Sequence, residues 1–447
     1  MKKYIYISLV SLFLGTACTA DLDQSPGNIA NADELTDYAG ILNAAYFYQH
    51  GSVTPMAVMG DFRADNAVME EEPYPAFDRF NTDLTDMEDQ FFGPFYTALY
   101  KSITSTNIII ENSEDMAQVG EAKFLRALSY YKLVQVFGDV SVILTPVAIE
   151  DIPTLDFSRQ PASDVYNNVI FPDLQDAMGA LGATNIDGRA SAYAAQCLLG
   201  KAYLSSGDYT NAESHLATVV NGAGGAGVSL QENFADIFGQ ANDLNSEIIF
   251  ATQVSSSVVD EYGFSEFWEW SYGLDTKSLD PLDLDLVAAF DAVSGAIIDP
   301  AEGDLRRVVS IDESTLSSPK FPQTEGADHD WIEMRLADII LLYAESLNEN
   351  NATPETVLDL LDPIRTRAGL TPLDHTVINT QELVRQAILD ERRLELAFEG
   401  HRWFDLVRTG AVDAEMGETV SSNYYVFPIP ISEILASDGV ITQNAGY

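Results

Sequence analysis

The feature that most constrains this chain is a spacing of small and bulky residues between positions 190 and 220. Leu199, Gly200, Tyr203, Gly207, Tyr209 and Ala212 fall at the intervals of a repeat made of two antiparallel helices. Gly200 and Ala212 are small enough to let the helices approach. Leu199 and Tyr203 fill the groove between them, and Gly207-Asp208 supplies the turn. A second, more divergent pair runs from Arg335 to Arg367. It carries Leu341-Leu342, Ala344 and Leu347 on one helix and Val357-Leu358, Leu360-Leu361 and Ile364 on the other. Such pairs bury an apolar face only when neighbours stack on it, so further pairs are expected. Helical patterns at 35–48, 90–112, 121–137 and 164–181 supply them, with Pro172 as a kink or break in the last. The fold class expected is mainly α: a tetratricopeptide-like scaffold of helical pairs with an irregular, loop-rich insert at about 221–331.

The insert lacks sustained helical periodicity, apart from a strand pattern at 248–254, and loops of this length rarely lack a role. Tyr262, Phe264, Phe267, Trp268, Trp270 and Tyr272 fall within 11 residues of it, interleaved with Glu261, Glu266 and Glu269. Sugar rings have apolar C–H faces that stack on such side chains, while carboxylates accept bonds from their hydroxyls. Trp268, Trp270, Tyr272, Tyr262 and Phe267 are therefore candidate ligand-binding residues; the alternative is a segment with alternate aromatics buried. A loop at 61–80 offers a second set: Asp61, Arg63, Asp65 and Asn66 for hydrogen bonds, and Tyr74, Phe77 and Phe80 for faces. Asp65, Asn66 and Tyr74 join the candidates from it. Trp331, beside Asp328-His329-Asp330, is a third and weaker one.

Lys plus Arg number 23 against 69 Asp plus Glu, a formal charge of −46. Such a chain repels phosphate backbones and acidic polysaccharides, so no nucleic acid is expected as a partner. Enzyme motifs are absent: no His-Glu-x-x-His, no Gly-x-Ser-x-Gly, no phosphate loop. The five histidines are scattered without metal spacing, and the glycine-rich 222–227 follows a helix rather than a strand. No cofactor or metal is expected. Calcium is the one candidate, at Asp280, Asp283 and Asp285 or at Asp299, Glu302 and Asp304, neither with EF-hand spacing.

Residues 1–17 read as a signal peptide. Lys2 and Lys3 precede an apolar run at 4–14, and Gly15-Thr16-Ala17 leads into Cys18. The run is too short to span a bilayer. The arrangement resembles a bacterial lipoprotein signal in which Cys18 is acylated, with palmitate among the chains it would carry; an ordinary secretory signal is the alternative. Asp21 and Asp23 resemble the acidic stretch that marks surface export in Bacteroidetes-type lipoproteins. Cys197 is then a small buried hydrophobe.

In the C-terminal third, Leu383, Ala387, Leu394 and Phe398 suggest the buried face of a helix. Glu391, Glu395 and Glu399 form an acidic row, for which Arg392, Arg393, Arg402, Arg365 and Arg367 are the expected neutralising partners. This is read as a structural ion network, with Trp403 and Phe404 in the core and His401 structural. The whole run 391–406, Glu-Arg-Arg-Leu-Glu-Leu-Ala-Phe-Glu-Gly-His-Arg-Trp-Phe-Asp-Leu, resembles the signature of the SusD/RagB family of outer-membrane lipoproteins. Tyr343 to Asn348, Arg365 to Leu370, Pro428-Ile429-Pro430, the terminal Gln443 to Tyr447, and Glu121 to Ala127 with Gly138-Asp139-Val140 fit the same family.

The resemblance implies a single domain over 18–447, with helical repeats at about 30–220 and 332–410 and a site drawing on an early loop and the central insert. It implies a surface-exposed protein, lipid-anchored in the outer membrane, that binds oligosaccharide or polysaccharide and lies over a TonB-dependent SusC-like transporter. It implies no enzymatic activity. An oligopeptide-binding protein of the same family, a surface glycosidase with two carboxylates ~5–10 Å apart, and a purely structural scaffold are the alternatives.

Overall fold

The structure, a computed structural model, describes residues 38–69, 72–184, 188–255, 282–294, 303–321 and 329–447. Cys18, Tyr262, Phe267, Trp268, Trp270 and Tyr272 lie outside the described residues, as do Asp280, Asp299 and Glu302. The principal helices are α1 (Ala39–Phe47), α2 (Gly93–Asn112), α3 (Met116–Phe137), α4 (Phe171–Ala180), α5 (Ala192–Ser205) and α6 (Tyr209–Gly222). They continue as α7 (Leu284–Ser294), α8 (Leu336–Glu349), α9 (Pro354–Arg367), α10 (Gln381–Glu395) and α11 (Arg402–Thr409). Among the described residues no helix is long and apolar enough to cross a membrane.

The repeat spacing is realised as expected. Ser191 caps α5 by accepting from the Ala194 N–H, and Asp208 caps α6 by accepting from the Asn211 N–H. Gly200 is where the two helices meet. A Cβ there would lie 2.6 Å from the Leu216 side chain, so only glycine allows this approach. The helices stack in order: α2 on α3, α3 on α4, α4 on α5, α5 on α6. The stack then skips the insert, since α6 packs directly on α8, and α8 on α9 and α10. Buried Lys201 of α5 pairs with Asp338 of α8 at 2.7 Å, and Asn350 donates to Glu213 of α6 at 2.6 Å. Behind these contacts Leu341, Ala344, Val357, Leu361, Ile364, Val384 and Ile388 form one apolar cluster. The second pair therefore continues the first.

Some boundaries move for local reasons. The third helix begins at Met116, five residues before the expected start, because Asp115 caps it by accepting from the Ala117 N–H. Pro172 occupies the first turn of α4, where its missing N–H costs nothing; a π-turn at Tyr166–Ile170 joins α4 to the short helix before it. The insert holds a helix after all, α7, with Leu286 and Phe290 buried. Two short strands earlier in the chain, β1 (Val140–Ser141) and β2 (Arg159–Gln160), pair antiparallel. The insert's strand β3 (Ile248–Thr252) pairs antiparallel with β4 (Trp331–Arg335), Thr252 opposite Trp331 and Ile248 opposite Arg335, with an irregular register between. Trp331 is thus a core residue, 3% exposed and stacked on Phe321 at 6.1 Å, not a ligand platform. Cys197 is fully buried, as expected.

Candidate ligand-binding site and its buried support

The tryptophan segment joins the described structure at two places, and both touch other candidate regions. On the N-terminal side, the Val254 N–H donates to the Asp330 carboxylate at 2.9 Å, next to Trp331. On the C-terminal side, Leu282 donates to the Leu316 carbonyl at 3.0 Å and forms a bridge with Ala67 of the early loop. The Asp283 N–H donates to the Asn66 carbonyl at 3.2 Å. The early loop, β4 and the insert therefore meet where this segment begins and ends.

The early-loop candidates themselves hold the chain to itself. Asp65 takes both arms of Arg402 at 2.7 and 2.8 Å and Arg393 at 3.1 Å. Asn66 is buried, donating to Asp61 at 2.9 Å and accepting from Arg393 at 3.0 Å. Tyr74 is 5% exposed, its hydroxyl accepting from Gln90 at 3.1 Å. Asp65 and Asn66 thus dock this loop on the C-terminal signature, while Tyr74 is held by Gln90. Gly60 lies so close to Gly400 that a Cβ would fall 2.1 Å from its carbonyl oxygen. The fully buried Arg63 guanidinium lies over Phe80, Trp403 and Phe427 at 4.7–5.0 Å and donates to the Tyr424 carbonyl at 2.7 Å. Of the calcium candidates described, Asp304 is gripped by Arg306 at 2.7 and 2.9 Å, and Asp283 accepts from the Asp285 N–H at the start of α7.

The acidic row of the signature is neutralised, by Arg365 and Arg367 as expected, but otherwise by Arg306, Lys320 and Arg335 in place of Arg392, Arg393 and Arg402. Glu391 pairs with Arg306 at 2.6 Å and Arg365 at 2.7 Å. Glu395 meets Arg306 at 3.1 Å, Arg335 at 2.6 Å, and Arg367. Glu399 takes Arg335 at 2.7 Å and Lys320 at 2.6 Å, and Glu247 bridges Arg335 and Arg367 at 3.0 and 2.7 Å. Phe234 and Phe238 lie over Lys320 at 5.1 and 4.7 Å. Arg392, Arg393 and Arg402 face elsewhere, because neighbours on a helix point about 100° apart: Arg392 binds Asp338 and Asp405, the other two bind Asp65. The buried face of α10 accordingly includes Val384, Ile388, Glu391, Leu394 and Glu395; Leu394 and, beyond the helix, Phe398 are buried as expected, Ala387 is half-buried and Leu383 is 46% exposed. Arg306, Lys320 and Arg335, which no sequence pattern singled out, tie the insert to the signature.

Burial alone would raise Glu395, yet the Arg367, Arg335 and Arg306 charges outweigh it and hold the carboxyl well below its usual range. Glu399 is lowered in the same way by Arg335 and Lys320. At the Val254 junction of the tryptophan segment and in the early loop the balance reverses. Burial pushes Asp330 up to about 7, helped by the Asp243 charge, Asp78 to about 7 and Asp61 to about 6. His401 is half-buried and pushed down to about 4, which keeps its ring neutral.

A small cavity of about 50 Å³ near Lys132, Lys201, Glu333 and His401 has room for a few waters only. A larger hollow of about 540 Å³ lies between α2 and the chain at 141–157, lined by Tyr48, Tyr96, Tyr100, Ile143, Leu155 and Phe157. Sequence reasoning missed it. The one signal was Tyr96 and Tyr100, four residues apart on a helix.

Two family models match the chain: one described as the SusD family over residues 306–447, the other as starch-binding associating with outer membrane over residues 19–204. A SusD-like protein P2 of Formosa agariphila is 25% identical over the full length of both chains. The starch-binding protein SusD of Bacteroides thetaiotaomicron is 24% identical over 79% of this chain and 78% of its own. Among solved structures, a SusD superfamily protein of Parabacteroides distasonis superposes with a TM-score of 0.75 at 22% identity, covering 92% of this chain and 98% of its own. A laminarin binding SusD-like protein gives 0.63 at 24%, covering 92% and 99%. At these identities the structural likenesses bear on the fold, which they match as a mostly helical scaffold. The N-terminal repeats, the signature run and the architecture agree: the chain belongs to the SusD/RagB family.

Proposed function

We propose that this protein is a cell-surface glycan-binding lipoprotein, anchored through Cys18 in the outer membrane. It captures neutral oligosaccharides and passes them to a partner TonB-dependent SusC-like transporter. The observation that carries this reading is family membership, with relatives whose names specify starch and laminarin binding. Neutral chains are favoured because a charge of −46 repels acidic ones. Trp268 and Trp270 are the proposed platform, with Tyr272, Tyr262 and Phe267 beside them. The early loop, β4 and the network-anchored insert brace the segment at both ends, which supports placing the ligand there.

Calorimetry against a panel of neutral glycans and peptides tests the function. Binding to a glycan is expected; binding to peptides and to no glycan overturns it. Trp268→Ala and Trp270→Ala test the site. Loss of a stacking face costs ~1–3 kcal/mol by analogy with other aromatic platforms, so affinity should fall roughly 5- to 150-fold in at least one. Tyr48→Ala, in the 540 Å³ hollow, should leave affinity unchanged. The reverse pattern would move the site to that hollow.

A further inference from the structure

We propose that Asp359, Asp362 and His375 form a binding site for a divalent cation of the zinc class, which clips α9 to the connection leading into α10. Asp359 and Asp362 are three apart on α9 and project from neighbouring positions of one helix face. His375 comes from the α9–α10 connection. Asp374 orders that turn by accepting from the Thr376 N–H at 2.9 Å and the Thr376 hydroxyl at 2.6 Å, while its carbonyl accepts from the Val377 and Ile378 N–H groups. One ligand atom from each of the three side chains lies within 4.8 Å of the other two.

The second observation is independent of that clustering. Oδ1 of Asp362 and Nε2 of His375 are both withdrawn from solvent, and neither has a hydrogen-bond partner. Buried polar atoms are normally satisfied, so two orphans in one place call for a shared third party. A cation supplies it. Tetrahedral zinc with bonds of ~2.0–2.2 Å separates its ligands by roughly 3.2–3.6 Å. Asp359 is exposed, so its side chain is free to rotate the remaining distance. The donor set chooses the ion: one imidazole and two carboxylates suit zinc and its first-row neighbours, whereas calcium takes six to eight oxygens. Three protein ligands leave a fourth position for solvent. The site is built from residues other than the acidic runs near Asp283 and Asp304 and does not depend on the glycan reading.

Titration of the metal-stripped full chain with zinc chloride, in parallel with calcium chloride, tests the proposal. One saturable equivalent of zinc is expected, with a rise in the thermal midpoint. His375→Ala and Asp362→Asn should each weaken it at least tenfold. Asp359→Asn, a change at an exposed position that leaves folding intact, should weaken it severalfold. Absence of a saturable zinc step overturns the proposal, since a bridging water would then satisfy the orphan atoms. A zinc step unchanged in all three variants, or a calcium step that exceeds it and ignores His375, overturns it equally.

Discussion

The charge network behind the signature and the junctions of the tryptophan segment both bury carboxylates, and they do so by opposite rules. In the network, Glu391, Glu395 and Glu399 each meet at least two cations among Arg306, Lys320, Arg335, Arg365 and Arg367. At the Val254 junction Asp330 accepts from the Val254 N–H, and in the early loop beside the other junction Asp61 accepts from the Gly400 N–H and the Asn66 amide. Arginine and lysine charges hold Glu395 and Glu399 ionised, whereas burial raises Asp61 to about 6 and Asp330 to about 7. The difference separates a permanent brace from an adjustable one. The insert is clamped to the scaffold by charge, while the strand and loop that flank the tryptophan segment are held by groups whose charge changes around pH 6 to 7.

The largest break in this contrast is Arg335→Ala. It leaves Glu247, Glu395 and Glu399 short of a shared cation in the core. Breaking a buried pair this way costs ~3–5 kcal/mol, read as a fall in unfolding free energy in urea melts. A loss below ~1 kcal/mol would erase the distinction between the clusters.

Stability against pH sharpens it next. Glu395, Glu399 and Asp405 have lowered folded values, Asp405 to about 2, so their contribution is complete above the unfolded value near 4 and is lost as pH falls below it. Asp61, Asp78 and Asp330 are raised, so the folded state binds more protons between about 4 and 7, and their contribution is complete below 4 and lost as pH rises to about 7. Urea melts from pH 3 to 8 should therefore peak near pH 4–5. A plateau from 5 to 8 would remove the second class. Asp330→Asn keeps an acceptor for the Val254 N–H and deletes the charge, so it should stabilise the protein by about 1–2 kcal/mol at pH 7.5 and by less at pH 4.5. Smallest of all, Arg79→Ala removes an exposed pair with Glu72, belonging to neither cluster, and should leave the thermal midpoint unchanged.

Much of the scaffold was legible because its signals are local. Leu199, Gly200, Tyr203 and Ala212 speak to one another across a single turn, and the structure places them as that spacing demands. The face of α10 was legible only in part: Leu394 and Phe398 are buried as expected, Leu383 is not. The helix's inward positions 388, 391 and 395 alternate an aliphatic side chain with two glutamates, so a hydrophobic count turns the helix toward Leu383. For Asp65, Asn66 and Tyr74 residue type alone says little, because a docking loop and a binding loop use the same side chains. Their contacts with Arg393, Arg402 and Gln90 exist only in the packed chain.

The sequence by itself determined the helix pairs, their close approach at Gly200 and the signature that marks the family, since each depends on residues a few positions apart. Only the tertiary structure decided which cations close the network and where the early loop docks. Arg306 lies 85 residues from Glu391 and Asp65 lies 337 from Arg402. At such separations no spacing rule operates, and pairing follows from which buried charges the packed helices bring within reach.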